Sequence, residues 1–105
     1  MLESKIEVYL IKRCKEIGAL CDKFTSPQRR SVPDRLITFN GRVLFVELKA
    51  TGKKPTEAQV RDHERRRAAG AEVVWLDNIE ECIEVECALV KGRPVMTDGN
   101  YKVIC

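Results

Sequence analysis

The dipeptide Asn40-Gly41, set between the apolar-rich runs Arg35–Phe39 and Arg42–Ala50, constrains this chain more than any other feature in it. Asn-Gly is the preferred centre of a two-residue type I′ turn, because both central residues there take positive φ. Such a turn fixes register. It sets Phe39 opposite Arg42 and, counting outward, Asp34 opposite Glu47. Opposed residues share a sheet face with Cβ atoms roughly 4.5–5.5 Å apart. Lys49, two residues beyond Glu47, falls on that face as well. Two like charges held opposite each other destabilise a hairpin, so the sequence demands a compensating cation.

Along the same face run Leu36 and Thr38 on one strand and Val43 and Phe45 on the other, with the charged groups gathered at the end away from the turn. The reverse face carries Ile37, Phe39, Leu44, Val46 and Leu48. A hairpin apolar on both sides belongs inside a sheet covered on both faces, and its charged end opens into a cleft. Burying a carboxylate pair without partners costs several kcal/mol, roughly. Hard divalent ions prefer carboxylate, carbonyl and water oxygens. Asp34, Glu47 and the backbone carbonyl of Leu48 form such a donor set for Mg²⁺ or Mn²⁺. A metal there polarises a phosphate and acidifies a bound water, while Lys49 orients that water or offsets charge growing on the phosphorane. The plainer reading is a surface Asp beside an ordinary Glu–Lys strand pair.

Helical spacing of Leu2, Ile6, Tyr9, Leu10, Cys14 and Ile17 predicts a helix over Leu2–Ile17, with Gly18 as its stop. A short strand follows over Ala19–Phe24, then a loop over Thr25–Val32, then the hairpin. Thr56 with Gln59 three residues later makes a capping box for a charged helix reaching Ala69. Glu72–Leu76 reads as a buried strand. Asp77 or Asn78 caps a third helix whose expected inward residues are Ile79, Cys82, Ile83, Cys87 and Leu89 or Val90. The order is α-β-β-β-α-β-α, a mixed α/β arrangement in one domain over 1–105, with a core of about 2–90 and a C-terminal extension over 91–105 that suggests a small hairpin.

No apolar run approaches the roughly 18 residues of a membrane span, and the N-terminus has no secretory pattern. Five cysteines without a CxxC pair, beside one histidine, do not match a structural zinc site. They are expected as small buried groups in a reducing cytoplasm. The net charge is only +3, yet basic residues gather at Arg29-Arg30, Lys53-Lys54 and Arg61–Arg67, opposite an acidic C-terminal third. Such asymmetry implies an anion-facing side.

Val32-Pro33-Asp34 followed by Phe45-Val46-Glu47-Leu48-Lys49 resembles the PD-(D/E)xK nuclease signature. With Glu7 in the first helix, Gly52 after the lysine and Gln59 opening the second helix, the pattern is similar to the minimal stand-alone VRR-NUC subfamily of phages and bacteria, over roughly Ile6–Leu76. The resemblance implies a restriction-endonuclease-like core with a mixed sheet flanked by helices. It further implies metal at Asp34 and Glu47, a catalytic Lys49, and a site completed by Glu7 (its metal contact through water) and Gln59. The activity it implies is a Mg²⁺- or Mn²⁺-dependent DNA endonuclease, selective for branched DNA, with stand-alone members looking like homodimeric Holliday-junction resolvases in a bacterial or phage-infected cytoplasm. A nickase, a flap or restriction-type nuclease on linear duplex, and a silent nucleic-acid-binding module on the same fold are the alternatives.

Rival readings accompany several of these residues. Glu7 flanks the apolar stripe of its helix as a solvated residue would, and Gln59 is also the third member of the capping box. Arg35 points to the face away from Asp34 and is assigned to structure or DNA contact. His63 is expected on the surface of its charged helix and Trp75 in the core. Arg61 and Arg65 align on one side of that helix and, with Lys53, Lys54, Arg29 and Arg30, form a candidate phosphate grip. The alternative is a solvated face with pairs such as Glu57–Arg61.

Overall fold

The computed structural model describes residues 1–105. The elements are α1 (Glu3–Glu16), β1 (Leu20–Lys23), β2 (Arg35–Phe39), β3 (Arg42–Leu48), α2 (Glu57–Ala68), β4 (Glu72–Leu76) and α3 (Ile79–Lys91). The strands lie in sequence order in one sheet, antiparallel except for β3 with β4. That one parallel pair requires a crossover, and α2 supplies it. The expected fold class and element order are the observed ones.

Hairpin register follows the turn. Asn40 and Gly41 have φ of 49° and 82°, and the ladder runs from Phe39–Arg42 to Arg35–Val46 without a bulge. α1 and α3 pack side by side on the sheet face carrying Ile37, Leu44, Val46 and Leu48. Ile6, Leu10 and Cys14 from α1 meet Cys82, Val85, Ala88 and Leu89 from α3 there. α2 covers the other face without an apolar stripe. Its contact residues are polar: the Arg66 guanidinium lies 5.0 and 5.1 Å from the rings of Phe24 and Phe45, and Arg67 donates to the Val73 carbonyl at 2.9 Å. Cation–π contact and hydrogen bonds stand in for the usual apolar seam.

One expectation about α3 needs correction. Ile83 and Val90 are 41% and 57% exposed, while Val85 and Ala88 are inward. The helix is turned because two acids, Glu81 and Glu84, also face inward and are neutralised there. Glu84 receives both Arg93 nitrogens (2.8 and 2.9 Å) and the Met96 N–H at 2.9 Å. Choosing the stripe by counting apolar residues misses acids that carry their own cations.

Beyond α3 the chain folds back along the outer edge of β4. Val103 N–H donates to the Trp75 carbonyl (2.8 Å), Trp75 N–H to that of Tyr101 (3.1 Å), and Thr97 bridges Val103 across a short turn. This hairpin caps an edge that would otherwise present unpaired backbone groups. No helix is long and apolar enough to cross a membrane.

Candidate active site

One step outward from Arg35–Val46, Asp34 and Glu47 meet. The Asp34 carbonyl accepts from Phe24 N–H at 2.9 Å, and its carboxylate Oδ2 accepts from Leu48 N–H at 2.8 Å. These bonds aim the Asp34 side chain across the hairpin at Glu47, with which it shares a side-chain hydrogen bond. Glu47 is 1% exposed. Burial, then the hydrogen bond to Asp34 and the charge of Asp34, push its carboxyl up to about 9, against the pull of Lys49. At neutral pH and without a bound cation, Glu47 therefore holds its proton.

The groups hydrogen-bonded to Glu47 from α2 are uncharged. Gln59 Nε2 reaches Oε2 at 3.4 Å and His63 Nε2 lies 3.3 Å from Oε1. Gln59 closes the capping box at the same time: its Oε1 accepts from Thr56 N–H (2.8 Å) and its N–H donates to Thr56 Oγ1 (3.2 Å). The two readings of Gln59 are compatible because amide oxygen and amide nitrogen point opposite ways.

His63 is where the sequence misled. It is 1% exposed, not a surface residue. Burial first and then the nearby Arg67 charge lower it to about 4, so it is an uncharged imidazole. Its position four residues after Gln59 puts both on the same side of α2, but with no apolar stripe to mark that side, periodicity could not show which way it faced.

Lys49 is half-buried and anchored through its N–H to the Leu76 carbonyl at 3.0 Å. It forms no ion pair, though its charge is felt at Glu47 and at Glu3. Glu7, in contrast, is bonded to Arg35, with Nε 3.0 Å from Oε2. Arg35 also donates to the Cys21 carbonyl at 3.2 Å, giving it the structural role open to it. The α1 acid that senses the pair is Glu3, one turn earlier: partial burial and then Asp34 raise its carboxyl while Lys49 opposes them. Glu3 and Glu7 share one side of α1, a spacing that could have pointed to both.

The basic residues divide. Lys53 and Lys54 are exposed on the connection after β3. Arg30 and Arg61 lie across α2, around a cleft of about 280 Å³ that also includes Arg29. Arg29 and Arg65 are drawn to Asp62, at 3.3 and 3.0 Å, while the Glu57–Arg61 pair does not form.

The donor chemistry suits a hard divalent cation: two opposed carboxylates with no lysine or arginine bonded to either, one of them kept protonated by burial beside the other. No group of three or more His, Cys, Asp or Glu side chains converges anywhere in the molecule, so the donors here are two carboxylates only.

No family model matches the sequence. A curated protein named "Putative nuclease p44", from Acyrthosiphon pisum secondary endosymbiont phage 1, is 48% identical over 77 residues, 72% of this chain and 83% of that protein. A solved structure titled "VRR_NUC domain" superposes with a TM-score of 0.73 at 30% identity, covering 79% of this chain and 91% of that one. The chain belongs to the VRR-NUC nuclease family. A second VRR-NUC structure, titled "VRR_NUC domain protein", shares the fold with a TM-score of 0.69 at 17% identity, over 87% of this chain and 89% of that one. Asp34, Glu47 and Lys49 thus stand on the hairpin of a VRR-NUC fold, with Gln59 and His63 leaning in from the crossover helix.

Proposed function

We propose that this VRR-NUC protein is a Mg²⁺- or Mn²⁺-dependent DNA endonuclease, selective for branched DNA and acting as a homodimer. The observation that carries the reading is the Asp34–Glu47 pair: Glu47 is buried against Asp34 with no lysine or arginine bonded to either, and its carboxyl is pushed up. A fold whose only task was to be stable would gain by giving that carboxyl a cation or replacing it with an apolar side chain.

Asp34, Glu47 and the Leu48 carbonyl would hold the cation, with Glu3 or Glu7 contributing through water. When bound, it supplies a Lewis acid for the phosphodiester. The protein's own groups do the rest. Gln59 and His63 fix the Glu47 carboxyl, and the Leu48 N–H fixes that of Asp34. Lys49, free of ion pairs, offsets negative charge that grows on the phosphate oxygens as water attacks phosphorus. The bond to the leaving oxygen breaks on the far side, and that oxygen takes up a proton.

Four-way junctions need two symmetric cuts, and one compact site makes one, so a two-fold dimer fits the substrate. Ile83 and Val90, seven residues apart on the outer side of α3, are exposed apolar groups suited to such an interface.

The test is incubation of the purified protein with labelled four-way junction and linear duplex, in Mg²⁺, Mn²⁺ or EDTA. Junction cleavage that needs metal and is lost in Lys49→Ala is expected. Absence of cleavage, or cleavage that survives EDTA, overturns the mechanism, and equal cutting of both DNAs overturns the preference for branches. Gel filtration checks the dimer.

A further inference from the structure

Beside the acid pair, between α2 and the C-terminal hairpin, lies a cavity of about 450 Å³ that the cleavage chemistry does not use. His63 is common to both: Nε2 approaches Glu47, and the ring forms part of the cavity wall. Lys53 and Lys54, four and five residues after Lys49, form its rim. Trp75 and Tyr101 supply aromatic surface.

Tyr101 is held there under strain. Its φ is 62°, a left-handed conformation that a bulky side chain rarely adopts and that tends to persist at functional positions. The turn that enforces it is tightly bonded: Asp98 Oδ1 accepts from Asn100 N–H (2.8 Å) and Lys102 N–H (3.1 Å), and the Asp98 carbonyl from Tyr101 N–H (3.1 Å). Trp75 Nε1–H donates to the Asn100 carbonyl at 3.0 Å. The Arg67 guanidinium lies 3.6 Å from the Tyr101 ring centroid, bracing a ring that stays half-exposed.

The cavity wall carries three acids, Asp77, Asp98 and Glu64, of which Asp98 is met by backbone N–H groups and Glu64 has no ion pair. Lys102 is bonded to Glu81 and lies 3.1 Å from Asp77, and Arg67 donates to the Val73 carbonyl. Lys53 and Lys54, with no ion pair, remain for an anion. The volume is in the range of sites that take one small molecule, roughly 300–1,000 Å³, and a duplex cannot enter it. A braced aromatic ring next to free lysines suits a base face with its phosphate, and base faces are available only out of the stack.

We propose that this cavity receives one unpaired nucleobase of the DNA strand beside the cutting site, stacked on Tyr101, with its phosphate at Lys53 and Lys54. The proposal rests on the nuclease reading and gives it a physical source of selectivity, because a branch point or bulge offers such a base and a paired duplex does not.

The test is binding in EDTA, where nothing need be cut, to three DNA duplexes: fully paired, bulged by one 2-aminopurine, and bulged by one abasic nucleotide. Expected are affinity for the 2-aminopurine bulge about tenfold above the paired duplex, quenched 2-aminopurine emission, and weak preference for the abasic bulge. Tyr101→Ala should remove the tenfold preference and keep paired-duplex binding, while Tyr101→Phe keeps both. If Tyr101→Ala fails to fold, Tyr101→Gly removes the ring and relaxes the backbone. Equal binding of paired and bulged DNA, an abasic bulge bound as tightly as 2-aminopurine, or a preference that survives loss of the ring overturns the pocket but leaves the nuclease reading standing. Binding to no DNA at all overturns both.

Discussion

Asp62, Asp77 and Glu84 are buried much as Glu47 is, yet the chain treats them differently. Burial pushes Asp62 up, but Arg66 and Arg65 outweigh it and the carboxyl ends below its ordinary range. At Asp77 burial is likewise outweighed, by the Gly52 N–H and Lys102. At Glu84 the Arg93 guanidinium is the leading influence and also lowers the carboxyl. Only at Asp34–Glu47 is no cation bonded, although Lys49 is near enough to be felt. The difference teaches that the missing cation at Glu47 is not a failure of this fold to neutralise buried acids. It does so at Asp62, Asp77, Glu81 and Glu84. At the hairpin end it bonds no lysine or arginine to the pair.

The largest effects should therefore fall on activity at one region and on stability at the other. Lys49→Ala and Glu47→Gln are each expected to slow DNA cleavage by about a hundredfold or more, measured as single-turnover rates, with the fold retained. A Glu47→Gln protein that cuts normally would place the pair among the ordinary structural acids.

Next in size is Arg66→Ala. It strands Asp62, which is 2% exposed, and removes the cation over Phe24 and Phe45. Because the Arg66 side chain is only 16% exposed, the cost should be about 2–3 kcal/mol by urea denaturation. Arg65 binds the same carboxylate but its side chain is 49% exposed, so Arg65→Ala should cost less than about 1 kcal/mol. Equal losses would mean that burial does not set the value of these pairs.

The two regions should also respond oppositely to pH in EDTA. Glu47 is raised, so its contribution is complete below about 4.5 and is lost as pH rises toward about 9. Asp62, Asp77 and Glu84 are lowered, so theirs is present above the ordinary carboxylate range and lost as pH falls through it. His63, lowered to about 4, likewise loses its contribution as pH falls below 6.5. Melting temperature should then decline between pH 7 and pH 9. Glu47→Gln should flatten that decline and be more stable at pH 9 by about 1–2 kcal/mol. A wild-type curve that stays level to pH 9 would show that Glu47 ionises easily.

Sequence revealed the opposed acids because one turn fixes every pair on a two-stranded ladder, and the capping box set the start of α2 in the same local way. What it hid depends on tertiary partners. His63 looked solvated because α2 docks through Arg66, Arg67 and His63 and not through an apolar stripe. The α3 face was misjudged because Glu84 is inward only by virtue of Arg93, nine residues on. Glu7 was drawn from the family pattern, and its bond to Arg35 depends on how α1 crosses the sheet, which no local signal encodes. Tyr101 lay in a tail whose placement follows from the exposed edge of β4.

The smallest expected effect separates free cations from committed ones. Lys53 and Lys54 have no ion pair, whereas Arg65 is bonded to Asp62 at 3.0 Å. A lysine that meets a phosphate displaces a condensed counterion, so its removal should lower the slope of log affinity against log salt by about 0.9. Lys53→Ala and Lys54→Ala should each do so for duplex binding in EDTA. Arg65 would have to leave Asp62 first, so Arg65→Ala should leave the slope nearly unchanged. A salt titration by fluorescence anisotropy decides it: a slope that falls with Arg65 but not with the lysines would move the DNA path to the far side of α2, onto Arg30 and Arg61.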